Sequence, residues 1–231
     1  MNRRKSLGQH FLVSKQIAKK IVDAANLSKQ DDVFEIGSGR GILIPFLCND
    51  AQTVTSVEIN PNLYSEIKKL ESVYSNLKLI CGDALDYDKS FSVLVSSLPY
   101  SQSRHTIEWL LQRKFQHAVL VVQEEFAQKL FCADKKTAIG VLSQYAFDIT
   151  KICGLKRNAF YPPPTVDSCI IFIKQRHILT GDLLQNVNKM FSQRRKTLHN
   201  ILSNFGIHDM SKKRLDDLQI GEIIEIAQRI I

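Results

Sequence analysis

Val33-Phe34-Glu35-Ile36-Gly37-Ser38-Gly39-Arg40-Gly41 is the most informative segment of this 231-residue chain. A short apolar run ends in three glycines at alternate positions, and an apolar segment resumes at Ile42. The pattern predicts a buried strand, a tight turn and the start of a helix. Glycine permits positive φ angles and lets a ligand lie against the main chain. The spacing differs from the G-x-G-x-x-G of dinucleotide-binding proteins, which weakens the prediction of a bound pyrophosphate.

An acid ends the next apolar run, which covers residues 53–57 and is followed by Glu58. A carboxylate at the tip of a second strand is well placed to bind the two hydroxyls of a ribose. A glycine turn with a ribose acid but no phosphate cradle suggests an adenosine ligand without phosphate, and S-adenosylmethionine is the obvious candidate. The alternative is an ordinary glycine-rich turn, which any α/β protein can have after its first strand.

Apolar runs alternate with helical patterns along the first part of the chain. This alternation predicts a parallel sheet with right-handed crossovers. Two further runs, near 145–153 and 168–173, are predicted to close the sheet antiparallel. The expected fold is α/β, with a seven-stranded, mostly parallel sheet flanked by helices. The parallel strands are expected near 33–36, 53–57, 77–81, 92–96 and 118–122, and the helices between them near 41–49, 61–72 and 103–114.

Polar or glycine-rich residues follow four of these strands. They are Gly37 to Gly41, Glu58, Asp83, and Ser97 to Tyr100. Ligands of parallel sheets bind outside the carboxyl ends of the strands, so the four tips predict one pocket. Asp83 could accept a hydrogen bond from the exocyclic amine of an adenine, although a simple turn aspartate is the alternative.

The turn Ser97-Leu98-Pro99-Tyr100 suits an amine attached to an aromatic base. Proline makes the turn rigid, so that a side chain and two carbonyls point at one place beside a flat ring. Acceptors that hold the N–H groups of adenine expose its amino lone pair, and stacking on the ring is worth ~1–3 kcal/mol. A sulfonium methyl is already activated, so positioning supplies most of the catalysis. Phe160 could cover the second face of the base. The alternatives are a structural Pro-Tyr turn and a polyproline surface loop at 160–168.

The chain is basic, with a formal charge of +8 and a pI of about 9.2. This charge indicates a polyanionic partner. A basic N-terminal arm, residues 1–30, and a second cluster beyond residue 190 are predicted to bind RNA; solvated charged faces are the alternative. The candidate RNA-binding residues are Arg3, Arg4, Lys5, Arg194, Arg195 and Lys196.

Beyond about residue 178 the strand pattern stops. Helices are predicted near 182–192, 193–204, 211–216 and 220–230. The expected domains are therefore an α/β domain at 1–177 and a small α-helical domain at 178–231. Five scattered cysteines without a C-x-x-C pair argue for a reducing compartment, and no metal site is expected. Neither a signal peptide nor a membrane span is expected, so the predicted location is cytoplasmic.

Eight motifs occur in order along nearly the whole chain and resemble those of the KsgA-type rRNA adenine dimethyltransferases. They are Gly8-Gln9-His10-Phe11-Leu12, Glu35 to Gly41, Val57-Glu58-Ile59-Asn60, Gly82-Asp83-Ala84-Leu85, Leu98-Pro99-Tyr100, Val122-Gln123-Glu124-Glu125, Phe160 to Ser168 and Gln193 to Leu198. The resemblance implies S-adenosylmethionine-dependent dimethylation of the N6 amines of two adjacent adenosines near the 3′ end of small-subunit rRNA. It also implies a Rossmann-like class I methyltransferase fold, with the S-adenosylmethionine-dependent methyltransferase domain at 1–177. The implied partner is the immature small ribosomal subunit, on which the helical region helps to dock. Nothing in the sequence demands an oligomer, so a monomer is expected.

The resemblance also implies roles for individual residues. The base would be held by the carbonyls of Leu98 and Pro99 and by Tyr100, with Phe160 opposite. The cofactor would be bordered by Gln9, His10, Leu12, Gly37, Gly39, Glu58, Ile59, Asp83, Ala84 and Ser97.

Ser97 departs from the family pattern, which has asparagine at this position. Serine has a shorter side chain, which could slow the transfer or make the first methylation more efficient than the second. Two other functions stay open: a non-catalytic ribosome-assembly or nucleic-acid-binding factor on the same fold, and an adenine methylase of a different RNA or of DNA.

Overall fold

The computed structural model describes residues 10–131 and 136–230, which form a seven-stranded sheet, a two-stranded sheet and flanking helices. The seven strands lie in the order β4-β3-β2-β5-β6-β9-β7. All neighbours from β4 to β6 pair parallel, and β9 pairs antiparallel with both β6 and β7. The predicted α/β fold is confirmed, and β9 alone runs against the others. The strands are β1 (Phe11–Leu12), β2 (Asp32–Ile36), β3 (Thr53–Glu58), β4 (Leu77–Cys81), β5 (Val93–Ser97), β6 (His117–Gln123), β7 (Phe147–Leu155), β8 (Phe160–Tyr161) and β9 (Ser168–Gln175).

Two helix starts follow the local rules of capping. The Ser14 side chain accepts a hydrogen bond from the N–H of Ile17, and that of Asn60 accepts one from the N–H of Asn62. Proline in the first turn after Asn60 lacks the N–H that would otherwise be unpaired there. The helices are α1 (Lys15–Ala25), α2 (Ile44–Asp50), α3 (Pro61–Ile67), α4 (Ser103–Leu110), α5 (Glu124–Phe131), α6 (Ala138–Ala146), α7 (Gly181–Ser192), α8 (Leu198–Ser203) and α9 (Ile220–Gln228).

The sheet separates two hydrophobic clusters because successive side chains of a strand face opposite sides. In β2, Val33 belongs to one cluster and Phe34 to the other. The cluster around Phe34 continues through Leu142 of α6 to Val187 of α7 and Ile223 of α9. The C-terminal helices therefore share a core with the sheet domain, and an independent domain at 178–231 stays a prediction.

Three details differ from the sequence-based expectations. β1 and β8 pair antiparallel into a two-residue ribbon, which is too short for its alternation to be visible in the sequence. The helix expected at 193–204 begins only at Leu198. The helix expected at 211–216 is wrong: the chain forms only a 3₁₀ turn, Leu215–Asp217. Asp209 accepts from the N–H of Ser211, and Ser211 from that of Lys213, and such side-chain bonds compete with a helix.

Among the described helices, none is long and apolar enough to cross a membrane. Within the same residues, no group of three His, Cys, Asp or Glu side chains is arranged to hold a metal ion.

Candidate active site

One pocket lies at the carboxyl ends of β2, β3, β4 and β5, where the four polar tips were expected to meet. The structure brings most of the candidate residues together in its wall, although their roles there stay predictions. These residues are His10, Leu12, Gly37, Gly39, Glu58, Ile59, Asp83, Ala84, Ser97 and Pro99.

The glycine turn forms the floor of this pocket. Gly37, Gly39 and Gly41 have φ angles of 76°, 55° and 74°, which residues other than glycine rarely adopt. The Gly37 N–H donates to the Val57 carbonyl at 2.8 Å, so the turn is fixed to the end of β3. A Cβ atom at Gly41 would lie 3.0 Å from a methyl group of Leu70. The backbone conformation therefore favours glycine at all three positions, and a side chain at position 41 would also crowd Leu70.

Glu58 joins the glycine turn to the end of β3. Its side chain is only 3% exposed. One carboxylate oxygen accepts from the Gly39 N–H at 2.8 Å, and the other accepts from the Asn60 N–H at 2.9 Å. Each carboxylate oxygen can accept a second hydrogen bond. Glu58 is thus positioned rigidly by the main chain and keeps acceptor capacity for hydroxyl groups in the pocket.

Glu35 is a pocket residue to which the sequence assigned no role. Its carboxyl group is 1% exposed and hydrogen-bonds to the Ser56 hydroxyl, which in turn hydrogen-bonds to the Ser38 hydroxyl. Burial raises the pKa of Glu35 to about 8, with the nearby Glu58 adding to the increase and the Ser56 bond opposing it. At pH 7 the carboxyl group is therefore mainly neutral. The signal was its place at the end of a buried strand, directly before the glycines.

Asp83 and Ile59 lie on the exposed side of the pocket. One Asp83 carboxylate oxygen accepts from the Leu85 N–H at 2.9 Å and starts the 3₁₀ turn Ala84–Asp86. Ile59 is 63% exposed, although it is a large apolar residue. An exposed apolar side chain and a carboxylate in the wall of one pocket suit a flat base that carries an amine.

The Ser97-Leu98-Pro99-Tyr100 turn closes the other side. Ser97 and Pro99 line the pocket, whereas the Leu98 side chain is buried in the core. The Pro99 carbonyl accepts from the Gln102 N–H at 2.8 Å, which leaves it one further lone pair. The Tyr100 hydroxyl lies 2.5 Å from that of Ser168. Burial raises the pKa of Tyr100 above its ordinary value, so this hydroxyl stays protonated at neutral pH.

The β1–β8 ribbon contacts this turn through His10. Its Nδ1 donates to the Pro162 carbonyl at 2.7 Å, and its ring centroid lies 5.5 Å from that of Tyr100. Phe160 is 4% exposed and packs in the core cluster that contains Leu12. The structure does not bring Phe160 into the pocket wall, because its side chain lies on the inner face of the ribbon. Its contact with a base stays a prediction.

Gln102 and Thr106 complete the wall and were not identified from the sequence. They lie one turn apart at the start of α4. The Thr106 hydroxyl is fully buried and has no hydrogen-bond partner among the described residues. Ser103, Trp109 and Ser143 carry unpaired buried polar atoms as well and do not line the pocket, so the unpaired hydroxyl of Thr106 does not by itself indicate a ligand. Its signal was a threonine on the apolar face of a helix beside the turn.

The candidate RNA-binding residues are less completely described. Arg3, Arg4 and Lys5 lie outside the described residues, as does Gln9, which was a candidate for cofactor binding. In the second cluster, Arg194 forms two contacts of 2.8 and 3.0 Å with the Asp216 carboxylate. Lys196 donates to the Gln193 side chain at 2.9 Å, and Arg195 is exposed. Arg194 thus binds the C-terminal helices together, and an RNA contact by this cluster stays a prediction.

Comparisons with known proteins agree with the geometry. The family model for "Ribosomal RNA adenine dimethylase" matches residues 1–229. Ribosomal RNA small subunit methyltransferase A of Thermotoga maritima is 32% identical over 98% of this chain and 85% of that protein. A probable methyltransferase of the same name from Methanosarcina mazei is 35% identical over 96% of this chain and 91% of its own length.

Solved structures share the fold. A dimethyladenosine transferase from Plasmodium falciparum superposes with a TM-score of 0.81 and 27% identity, covering 94% of this chain and 96% of that one. The 23S rRNA methyltransferase ErmE has a TM-score of 0.70 and 23% identity, over 95% of this chain and 99% of its own, and shows the fold alone.

Proposed function

Since this chain belongs to the ribosomal RNA adenine dimethylase family and is an rRNA adenine dimethyltransferase, we propose that S-adenosylmethionine is its methyl donor. The acceptors are the N6 amines of two adjacent adenosines near the 3′ end of small-subunit rRNA. The observation that carries the proposal is the pocket whose wall the glycine turn and Glu58 share with Ser97 and Pro99.

The pocket residues fit an adenosine-containing donor with a positive charge. Glu58 offers carboxylate acceptors for ribose hydroxyls, and Ile59 with Asp83 suits the adenine. The buried ionisable groups of the pocket wall are the two acids Glu35 and Glu58, and the one lysine or arginine among its described lining residues, Arg40, is exposed. These pocket residues favour a nucleoside that carries a sulfonium group over a nucleotide that carries phosphates.

When bound, the donor supplies a sulfonium methyl that is already activated for transfer to an amine. The chain's part is to hold the acceptor. The Ser97 hydroxyl and the Pro99 carbonyl can accept hydrogen bonds from the N6–H groups of the target base. The lone pair of the amino nitrogen is then directed at the methyl donor. The Tyr100 ring, fixed by His10 and Ser168, stacks on the base. Restriction of the bound amine to this geometry lowers the entropic part of the barrier.

We further propose that the enzyme acts as a cytoplasmic monomer on the immature small subunit. The basic charge of the chain favours a large polyanion. The helices α7–α9 continue the core of the sheet domain and carry the exposed Arg195, so they offer a rigid second contact with rRNA.

The experiment that tests this function is nucleoside mass spectrometry of small-subunit rRNA. Unmethylated immature subunits are incubated with S-adenosylmethionine and either the wild type or Ser97→Asn. We expect dimethyladenosine from both proteins. Monomethyl product from the wild type and dimethyl product from Ser97→Asn would identify the short side chain as the limit on the second transfer. Tight subunit binding without any product would favour the assembly-factor alternative.

A further inference from the structure

The outer face of the β1–β8 ribbon carries two aromatic side chains in register. Phe11 and Tyr161 are paired residues of the two antiparallel strands, as are Leu12 and Phe160. Leu12 and Phe160 are buried in one core cluster, which fixes the inner face. Because side chains alternate along a strand, Phe11 and Tyr161 share the opposite, outer face.

Tyr161 is unusual because it is a large aromatic residue that is 63% exposed. Its main chain pairs with that of Phe11, but its hydroxyl group has no hydrogen-bond partner among the described residues, so no local polar contact of the side chain explains the exposure. Its neighbour Phe11 lines the pocket, and the Phe11 ring lies 3.3 Å from the place where a Cβ atom of Gly39 would be. The aromatic pair therefore starts at the pocket rim and extends outward from it.

Positive charge accompanies this aromatic pair. The Arg40 guanidinium lies 5.2 Å from the centroid of the Phe11 ring and is exposed. It forms no ion pair within the described part of the chain. Arg40 lines both the pocket and an adjoining shallow groove, which also includes the exposed Lys15 and the apolar Phe46. Aromatic rings beside unpaired cations are the chemistry by which proteins bind single-stranded nucleic acid.

We propose that Phe11, Tyr161 and Arg40 form a stacking platform for the nucleobase next to the target adenosine. The occupant is the second adenosine of the substrate pair, so the inference rests on the proposed function and deepens it. Only one base can enter the pocket at a time, and its neighbour in the strand is then unstacked at the rim. Tyr161 stacks on that base, while Arg40 and Lys15 contact the adjoining phosphates.

This platform explains why Tyr161, and not Phe160, is exposed. Phe160 anchors the ribbon in the core, and the ribbon in turn presents the platform beside the pocket. His10, which joins the ribbon to Tyr100, keeps the platform at a fixed distance from the target base. The arrangement would let the enzyme hold the strand in place for transfers to both adenosines.

The test uses four variants, Tyr161→Ala, Tyr161→Leu, Tyr161→Phe and Tyr161→Trp, and measures the dissociation constant for unmethylated small subunits. We expect the Ala and Leu variants to bind about 5- to 100-fold more weakly, and the Phe and Trp variants to bind like the wild type. Donor affinity, measured by calorimetry, should not change. Arg40→Ala should weaken binding more at low salt than at high salt.

Arg113→Ala is the matched control for Arg40, because Arg113 also lies over an aromatic ring, at 4.7 Å from the Trp109 centroid. It is located just before the amino end of β6, away from the pocket. Equal subunit binding by Tyr161→Ala and the wild type would overturn the platform. Equal dissociation constants for Tyr161→Leu and Tyr161→Phe would also overturn it. Dimethyladenosine production by the wild type is measured in parallel, so that a failure of the proposed function is distinguished from a failure of the platform.

Discussion

The two halves of the pocket are held in different ways. In the donor half, Glu58 is bonded to two main-chain N–H groups, and both partners lie within the segment from Gly39 to Asn60. In the base half, the Tyr100 hydroxyl is held by Ser168, which is 68 positions away in the sequence and belongs to β9. The contacts that hold Glu58 therefore lie within one β–α–β unit, β2 to β3, whereas the base half depends on the docking of the distant strand β9. Substitutions in the donor half should therefore change donor affinity, and substitutions in the base half should change the methylation rate.

Glu58→Ala should have the largest effect. It removes the acceptors for the ribose hydroxyls and leaves the Gly39 and Asn60 N–H groups without their partner. Hydrogen bonds to a charged group contribute about 1.5–3 kcal/mol each, so we expect donor affinity to fall by about 100-fold or more. Calorimetric titration with S-adenosylmethionine measures it.

Glu66→Ala is the control for this substitution, because Glu66 is an exposed acid on α3. Its donor affinity should equal that of the wild type. A Glu58→Ala protein that unfolds like the wild type and binds the donor within about fivefold would show that the donor half does not depend on this carboxylate.

Glu35→Gln should change stability in a pH-dependent way. The carboxyl group has a pKa of about 8 in the folded protein against 4.5 as the reference value. Between these values the folded state binds more protons than the unfolded state, so the free energy of unfolding of the wild type falls as pH rises, by about 1.4 kcal/mol per unit from this group. Glutamine does not titrate, so the free energy of unfolding of the variant should rise relative to that of the wild type, by a few kcal/mol between pH 5 and pH 8.

Urea unfolding at pH 5, 6, 7 and 8 measures this difference. Glu66→Gln, which removes one exposed carboxyl group, is the control and should follow the wild type. Parallel pH profiles for the wild type and Glu35→Gln would contradict the buried neutral acid. This is a prediction for the donor half alone, since Glu35 is linked to Ser56 and Ser38 beneath the glycine turn.

The same contrast explains what could be predicted from the sequence. The strand tips that line the donor half were predictable, because each is a short motif directly after an apolar run. Thr106 was not, because its lack of a partner is a property of the packed structure. The two-residue strand β8 has no periodicity of its own, so the opposite orientations of Phe160 and Tyr161 emerge only from pairing with β1. In the C-terminal region, side-chain bonds of Asp209 and Ser211 overrode a helical pattern.

Ser168→Ala should have the smallest effect and should be confined to the base half. The Ser168 hydroxyl is buried and holds the Tyr100 ring at the edge of the pocket. A hydrogen bond contributes about 1 kcal/mol net, so we expect kcat to fall about 5- to 10-fold while donor affinity is unchanged. Single-turnover methylation of unmethylated subunits measures the chemical step.

Tyr100→Phe provides the matched test, because it keeps the ring and removes the same hydrogen bond from the other side. If the hydrogen bond acts by orienting the ring, Tyr100→Phe and Ser168→Ala should lower the methylation rate by the same factor. The double variant should then be no slower than either single variant. Additive losses would mean that the two hydroxyls act separately. A loss of donor affinity in Ser168→Ala would mean that the two halves are coupled through β9, and the separation between local and assembled parts of the site would then fail.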